Sequence, residues 1–159
     1  MGLVPPRAEM WRGLLERGVA CAWRLASGEG AEDDDPAERR RELAALLTPG
    51  VQHSRMESVT DDLIAATIYA LQAYELASPR HAAYAGQVAL DTVDLVEGFK
   101  ETDFPPANAV LPLLAEEEDR QARAVSLLSE SALLEPRQLE LLRAEARRAG
   151  VALAKRLQD

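Results

Sequence analysis

Apolar residues recur at intervals of three and four along most of the chain, and no stretch alternates apolar and polar residues long enough to indicate a β-strand. This pattern is typical of amphipathic helices that turn one side towards a core. We therefore expect an all-α protein, a single-domain bundle of about six helices over residues 1–159. The predicted helices lie at about 8–26, 37–47, 63–77, 80–101, 107–134 (or from 110) and 136–156.

The third predicted helix, 63–77, is apolar on nearly every side, which is typical of a helix in the centre of a bundle. Asp61 and Asp62 precede it, at a position where carboxylates cap free backbone N–H groups. Ser78 and Pro79 then interrupt the helical pattern. Because the connection is short, we expect the next helix to return antiparallel and form a central helical hairpin.

The segment 28–36 is too polar to pack, and it predicts a mobile acidic loop that ends with Asp35 as the N-cap of the second helix. Arg39 to Arg41 lie in the first turns of that helix, at the end where the helix dipole disfavours cations. We expect these arginines to form a solvated face, or to pair with the 32–35 loop or with a partner.

The net charge of −9 is concentrated in the middle of the chain. Residues 57–103 contain nine acidic and two basic residues, whereas both flanking parts are nearly balanced. An acidic chain with one short arginine run is not typical of a nucleic-acid-binding protein. The longest apolar segment is shorter than the roughly 20 residues that cross a bilayer. We therefore expect neither nucleic acid nor a membrane as a partner.

A row of carboxylates marks the fourth predicted helix. At 100° per residue, Val88, Val93 and Val96 fall on one side of this helix, and four acidic residues fall within an arc of about 120° on the other. This acidic stripe consists of Asp91, Asp94, Glu97 and Glu101. It is either an ordinary solvated face or a surface for a basic protein partner, and complementary charge would accelerate encounter with such a partner.

Under the binding hypothesis the protein would have an immunity- or antitoxin-like role, or would act as a regulator docked on a larger complex. Charge supplies less affinity than buried apolar contacts, so we also expect apolar anchors. The candidates, each of which could instead be a core residue, are Trp11, Trp23, Tyr84 and Phe104. Self-association into a homodimer or a homo-oligomeric structural protein is an alternative.

Sequence patterns for catalysis are weak. The single cysteine, Cys21, excludes an intramolecular disulfide, and no Cys/His cluster predicts a zinc site. His53 and His81 have no spacing that would join them to a nucleophile. The N-terminal residues do not have the pattern of a signal peptide. We expect a cytoplasmic protein with no cofactor and no catalytic residues.

A divalent-metal hydrolase of the all-α nucleotide pyrophosphohydrolase type is a second alternative. Mg²⁺ prefers oxygen ligands, and carboxylates spaced by three residues project from one side of a helix. The candidate ligands are Asp91, Asp94, Glu97, Glu116 and Asp119. Only one of the two acidic motifs typical of those enzymes is present.

Several short motifs occur together in residues 57–150. They are the alanine-rich hairpin Asp61–Phe99 with its Thr92-Val-Asp94, the spacing Glu117-x-x-x-Gln121 followed by Leu127-Leu128, and the pair Leu142-Arg143 and Ala149-Gly150. In this order and spacing they resemble the bacterial YjaG-like family, a domain of unknown function. The resemblance implies a small cytoplasmic all-α protein and implies no activity. The chain departs from the family pattern at Val151-Ala-Leu-Ala154 and in its first third.

Overall fold

The computed structural model describes residues 6–29, 34–47, 55–98, 112–130 and 135–158. Within these ranges the chain forms six α-helices and no strand, which confirms the predicted all-α class. The helices are α1 Pro6–Ser27, α2 Pro36–Ala44, α3 Arg55–Glu75, α4 Pro79–Gly98, α5 Pro112–Glu130 and α6 Pro136–Gln158.

The predicted start of the third helix was wrong. The helix begins at Arg55, so Asp61 and Asp62 lie in its second turn rather than at its N-terminal end. Val59 lies in the part of the helix before the apolar run 63–77, and its side chain is buried. Tertiary packing of this side chain favours a helix that begins earlier than the apolar run indicates. Glu57, rather than the aspartates, is the acidic residue in the first turn.

The break at Ser78 and Pro79 is confirmed, because α3 ends at Glu75 and α4 begins at Pro79. The Ser78 amide donates to the Ala73 carbonyl at 2.9 Å, and Ala77 has a positive φ of 47°. This left-handed residue ends α3 in the manner of a helix C-cap. The antiparallel packing of α3 against α4 stays a prediction.

The chain folds as two compact units, Met1–Ala89 and Leu90–Asp159, with the boundary inside α4. The prediction of a single domain stays a prediction. In the first unit, α1, α2 and α3 pack against one another. Their shared core consists of Cys21, Leu43, Leu46, Ile64 and Leu71.

Gly18 lies where α1 meets both α2 and α3. A Cβ atom at this position would lie 2.8 Å from Leu43 Cδ1 and 3.1 Å from Thr67 Cγ2. Real Cβ atoms almost never approach other heavy atoms below 3.0 Å. The absence of a side chain at Gly18 therefore allows the three helices to approach closely.

The arginines of α2 form ion pairs within the first unit. Arg39 and Arg24 both donate to the Asp34 carboxylate, so Arg39 follows the alternative of pairing with the 32–35 loop rather than that of a solvated face. Arg40 Nε lies 3.0 Å from Glu75 Oε2 and joins α2 to α3.

The predicted N-cap of α2 is confirmed, because Asp35 accepts from the Ala37 amide at 3.0 Å. Residues 30–33 of the predicted loop lie outside the described residues.

The second unit contains the C-terminal half of α4 together with α5 and α6. Helices α5 and α6 contact each other, and Arg123 Nη2 lies 3.9 Å from Glu145 Oε2. One side of α6 is a half-buried apolar seam that consists of Leu139, Leu142, Ala146, Ala149 and Leu153. In the described part of the chain, none of the helices is both long enough and apolar enough to pass through a membrane.

Candidate functional site

The C-terminal half of α4 separates apolar and acidic side chains as the sequence predicts, with one exception. Val93 and Val96 are buried, together with Thr92. Asp91 and Asp94 are exposed on the other side of the helix. Two of the four carboxylates of the acidic stripe therefore face solvent, as expected from the helical period.

The exception is Glu97, whose predicted exposure was wrong. Its side chain accepts hydrogen bonds from two amides at the start of α5: Oε1 from Leu113 N at 3.0 Å, and Oε2 from Leu114 N at 2.9 Å. Glu97 is 5% exposed. Its carboxylate therefore joins α4 to α5 inside the second unit instead of adding charge to the outer surface.

The local sequence explains why α5 needs this carboxylate. The first N–H groups of a helix have no partner within the helix, and a side chain at the N-cap position usually accepts from the second or third residue. The residue before Pro112 is Leu111, which has no side-chain acceptor. Pro112 has no N–H, so Leu113 and Leu114 hold the first two amides that need an acceptor. Glu97 satisfies both.

The helix wheel also shows why Glu97 is the stripe residue that turns inward. At 100° per residue, Glu97 lies about 40° from buried Val93, whereas Asp91 lies about 160° from it. Glu97 is therefore at the edge of the acidic stripe next to the buried side. A wheel of α4 alone contains no information about the amides of α5, so sequence reasoning missed this contact.

A second buried carboxylate lies on α5. Glu117 is buried and accepts from Arg120 Nε at 2.7 Å and from Gln121 Nε2 at 2.8 Å. The hydrogen bond to Glu117 raises the pKa of the Arg120 guanidinium, which stays charged. The neighbouring acidic residues Glu116, Glu118 and Asp119 are exposed.

The predicted apolar anchors have different environments. Trp11 packs against the core of the first unit, and Trp23 is half-buried. Tyr84 is 39% exposed, and its hydroxyl accepts from Arg80 Nε at 2.7 Å. Its ring also contacts the rings of Tyr69 and His81 within the first unit. Phe104 and the stripe residue Glu101 lie outside the described residues.

The carboxylates of the hydrolase alternative do not form a metal site. Among the described residues, no group of three or more His, Cys, Asp or Glu side chains could hold a metal ion. The candidate set Asp91, Asp94, Glu97, Glu116 and Asp119 lies entirely within those residues. Both oxygens of Glu97 already accept from backbone amides, so the proposed ligand set was wrong.

Cys21 is fully buried in the core of the first unit, as expected for a packed thiol. Burial raises the pKa of this thiol, and the nearby Asp34 carboxylate raises it further. A buried thiol with a raised pKa is a poor nucleophile. The geometry of Cys21 therefore favours a packing role.

Comparison with known proteins gives no relative, because no family model, curated protein or solved structure matches this chain. The resemblance of residues 57–150 to the YjaG-like family stays a prediction.

Proposed function

We propose that the protein is a non-enzymatic, cytoplasmic binding or regulatory protein that holds a basic protein partner against the exposed carboxylates of α4. Its role would be immunity- or antitoxin-like, or that of a regulator associated with a larger complex. Of the four predicted carboxylates, the proposal uses Asp91 and Asp94, because Glu97 is buried and Glu101 lies outside the described residues.

The observation that carries this proposal is the exposure of Asp91 and Asp94 on a helix with little positive charge. The only basic residue of α4 is Arg80, at the opposite end from these two carboxylates. A cationic partner would be attracted over long range to two exposed carboxylates on such a helix.

The contact of Glu97 with α5 adds further acidic residues to the same region of the second unit. Glu97 lies one turn after Asp94, and its amide partners lie in the first turn of α5 beside exposed Glu116. Glu116 is therefore a further exposed carboxylate close to this contact, and it strengthens the negative potential there mainly at low ionic strength, where the Debye length is longest.

The test is affinity capture from lysate of the source cells with the wild-type chain and with Asp91→Lys/Asp94→Lys. We expect the wild type to retrieve a basic protein that the double variant loses, and we expect higher salt to slow its association. The matched control is Glu38→Lys/Glu140→Lys, which changes net charge equally at exposed positions on α2 and α6.

Retention of the same proteins by the Asp91→Lys/Asp94→Lys variant would refute the proposal. Equal loss of the captured proteins by the Glu38→Lys/Glu140→Lys control would also refute it, because that result would reflect net charge alone. Light scattering separates self-association from partner binding, because a monomer has a mass of 17.4 kDa.

A further inference from the structure

Helix α6 carries a second face opposite to its apolar seam. Along this face, positions recur at intervals of four and three residues, which keeps them in one straight row on a helix. The row consists of Arg137, Leu141, Ala144, Arg148, Val151 and Lys155. We call it the outer row of α6.

The outer row leaves large apolar side chains in solvent. Leu141 is 57% exposed and Val151 is 71% exposed. They are ten residues apart, which corresponds to about 15 Å along the helix axis. Two apolar side chains at this spacing on one face fit the anchors of a second helix packed alongside.

Positive charge surrounds these apolar positions. Helix α6 holds six basic and two acidic residues, in a chain whose net charge is −9. Both acidic residues already have basic neighbours, since Glu140 lies 3.7 Å from Arg143 and Glu145 lies 3.9 Å from Arg123. The exposed cations Arg137, Arg147, Arg148 and Lys155 have no ion pair with any residue in the described ranges.

We propose that the outer row of α6 is a docking surface for an acidic amphipathic helix of a partner protein. The apolar side chains of that helix would cover Leu141 and Val151, and its carboxylates would pair with Arg137, Arg148 and Lys155. This surface is distinct from the carboxylates of α4 and binds a partner of opposite charge.

The charge pattern favours an acidic helix over other occupants. Nucleic acid would meet a chain whose overall charge repels it. An anionic membrane surface is bound best by a helix with aromatic or several large apolar residues, whereas the outer row has one leucine and one valine. Two copies of the row placed side by side would bring like charges together.

The test uses a fluorescein-labelled synthetic helix with leucines at heptad spacing and glutamates at the flanking positions. We expect the full chain to bind this peptide with micromolar affinity, measured by fluorescence anisotropy, and higher salt to weaken binding. Arg148→Glu/Val151→Glu is expected to weaken binding at least tenfold. The matched control Arg17→Glu/Val125→Glu makes the same changes at exposed positions on α1 and α5 and is expected to bind as the wild type does.

Circular dichroism verifies that both variants are folded, and Leu141→Gln provides a milder change that is also expected to weaken binding. Absence of peptide binding, or equal loss in the control, would overturn the proposal. Binding of duplex DNA or phosphatidylglycerol vesicles in place of the peptide, or a concentration-dependent increase in mass, would overturn it in favour of those occupants. The Asp91→Lys/Asp94→Lys variant should still bind the peptide, so this result is independent of the proposed function.

Discussion

The carboxylate of Glu97 does for α5 what an N-cap side chain normally does within its own helix. It accepts from both Leu113 and Leu114, although 16 residues separate Glu97 from the nearer of them. An unsatisfied amide at a buried helix terminus costs free energy comparable to a lost hydrogen bond. We therefore assign Glu97 a role in stability and in the placement of α5.

Substitution Glu97→Ala is expected to lower the free energy of unfolding by about 2 kcal/mol, since it removes a cap and leaves two amides without their acceptor. Glu97→Gln should cost less than Glu97→Ala, because the amide group retains one acceptor oxygen. Urea denaturation followed by far-UV circular dichroism measures both changes.

The matched control is Asp94→Ala, because Asp94 lies one turn before Glu97 on the same helix and is exposed. Its effect on the free energy of unfolding should stay within about 0.5 kcal/mol. If Glu97→Ala also stayed within that range, the capping role of Glu97 would be excluded.

At the scale of helices, the approach of α1 to α2 and α3 depends on Gly18. Replacing glycine by alanine inside a helix normally gains up to about 1 kcal/mol. Here the added Cβ would lie 2.8 Å from a side-chain atom of Leu43, which is fully buried and has little room to move. Overpacking of a core costs about 1–3 kcal/mol, so Gly18→Ala should destabilise the fold by roughly 1 kcal/mol net.

Gly13→Ala on the same helix provides the matched control. Its Cβ would meet only Arg17 Nη1, at an ordinary 3.7 Å, so the gain in helix propensity should appear without strain. Thermal and urea unfolding of both variants give the comparison. Stabilisation by Gly18→Ala would show that the three helices can separate without cost.

At the scale of the whole molecule, the two compact units have different cores. The first unit contains a cluster of five buried apolar residues and also buried Val59, whereas the described part of the second unit has two buried apolar side chains, Val93 and Val96. Because the hydrophobic contribution to stability increases with the apolar area buried, we expect the second unit to unfold first.

Both tryptophans, Trp11 and Trp23, lie in the first unit and report on it alone. Circular dichroism reports on the helices of both units. In urea, the dichroism midpoint is therefore expected about 0.5 M or more below the tryptophan-fluorescence midpoint. Coincident curves would instead support the single cooperative domain that the sequence predicts.

The sequence by itself determined which segments are helical and where several of them end. Periodicity, proline and capping residues act within a few positions of each other, so the α3–α4 break at Ser78 and the Asp35 cap could be predicted. The same local rule placed Asp91 and Asp94 outside and Val93 and Val96 inside.

The tertiary structure alone decided the contacts between segments that are distant along the chain. Glu97 is buried because its carboxylate accepts from the amides of α5. The start of α3 at Arg55 is favoured by the burial of Val59. The spacing of apolar residues within a single helix predicts neither of these contacts, because that spacing reports only which side of the helix a residue occupies. Contacts between helices satisfy free backbone amides and bury apolar surface. These contacts determined which carboxylates of α4 reach the surface.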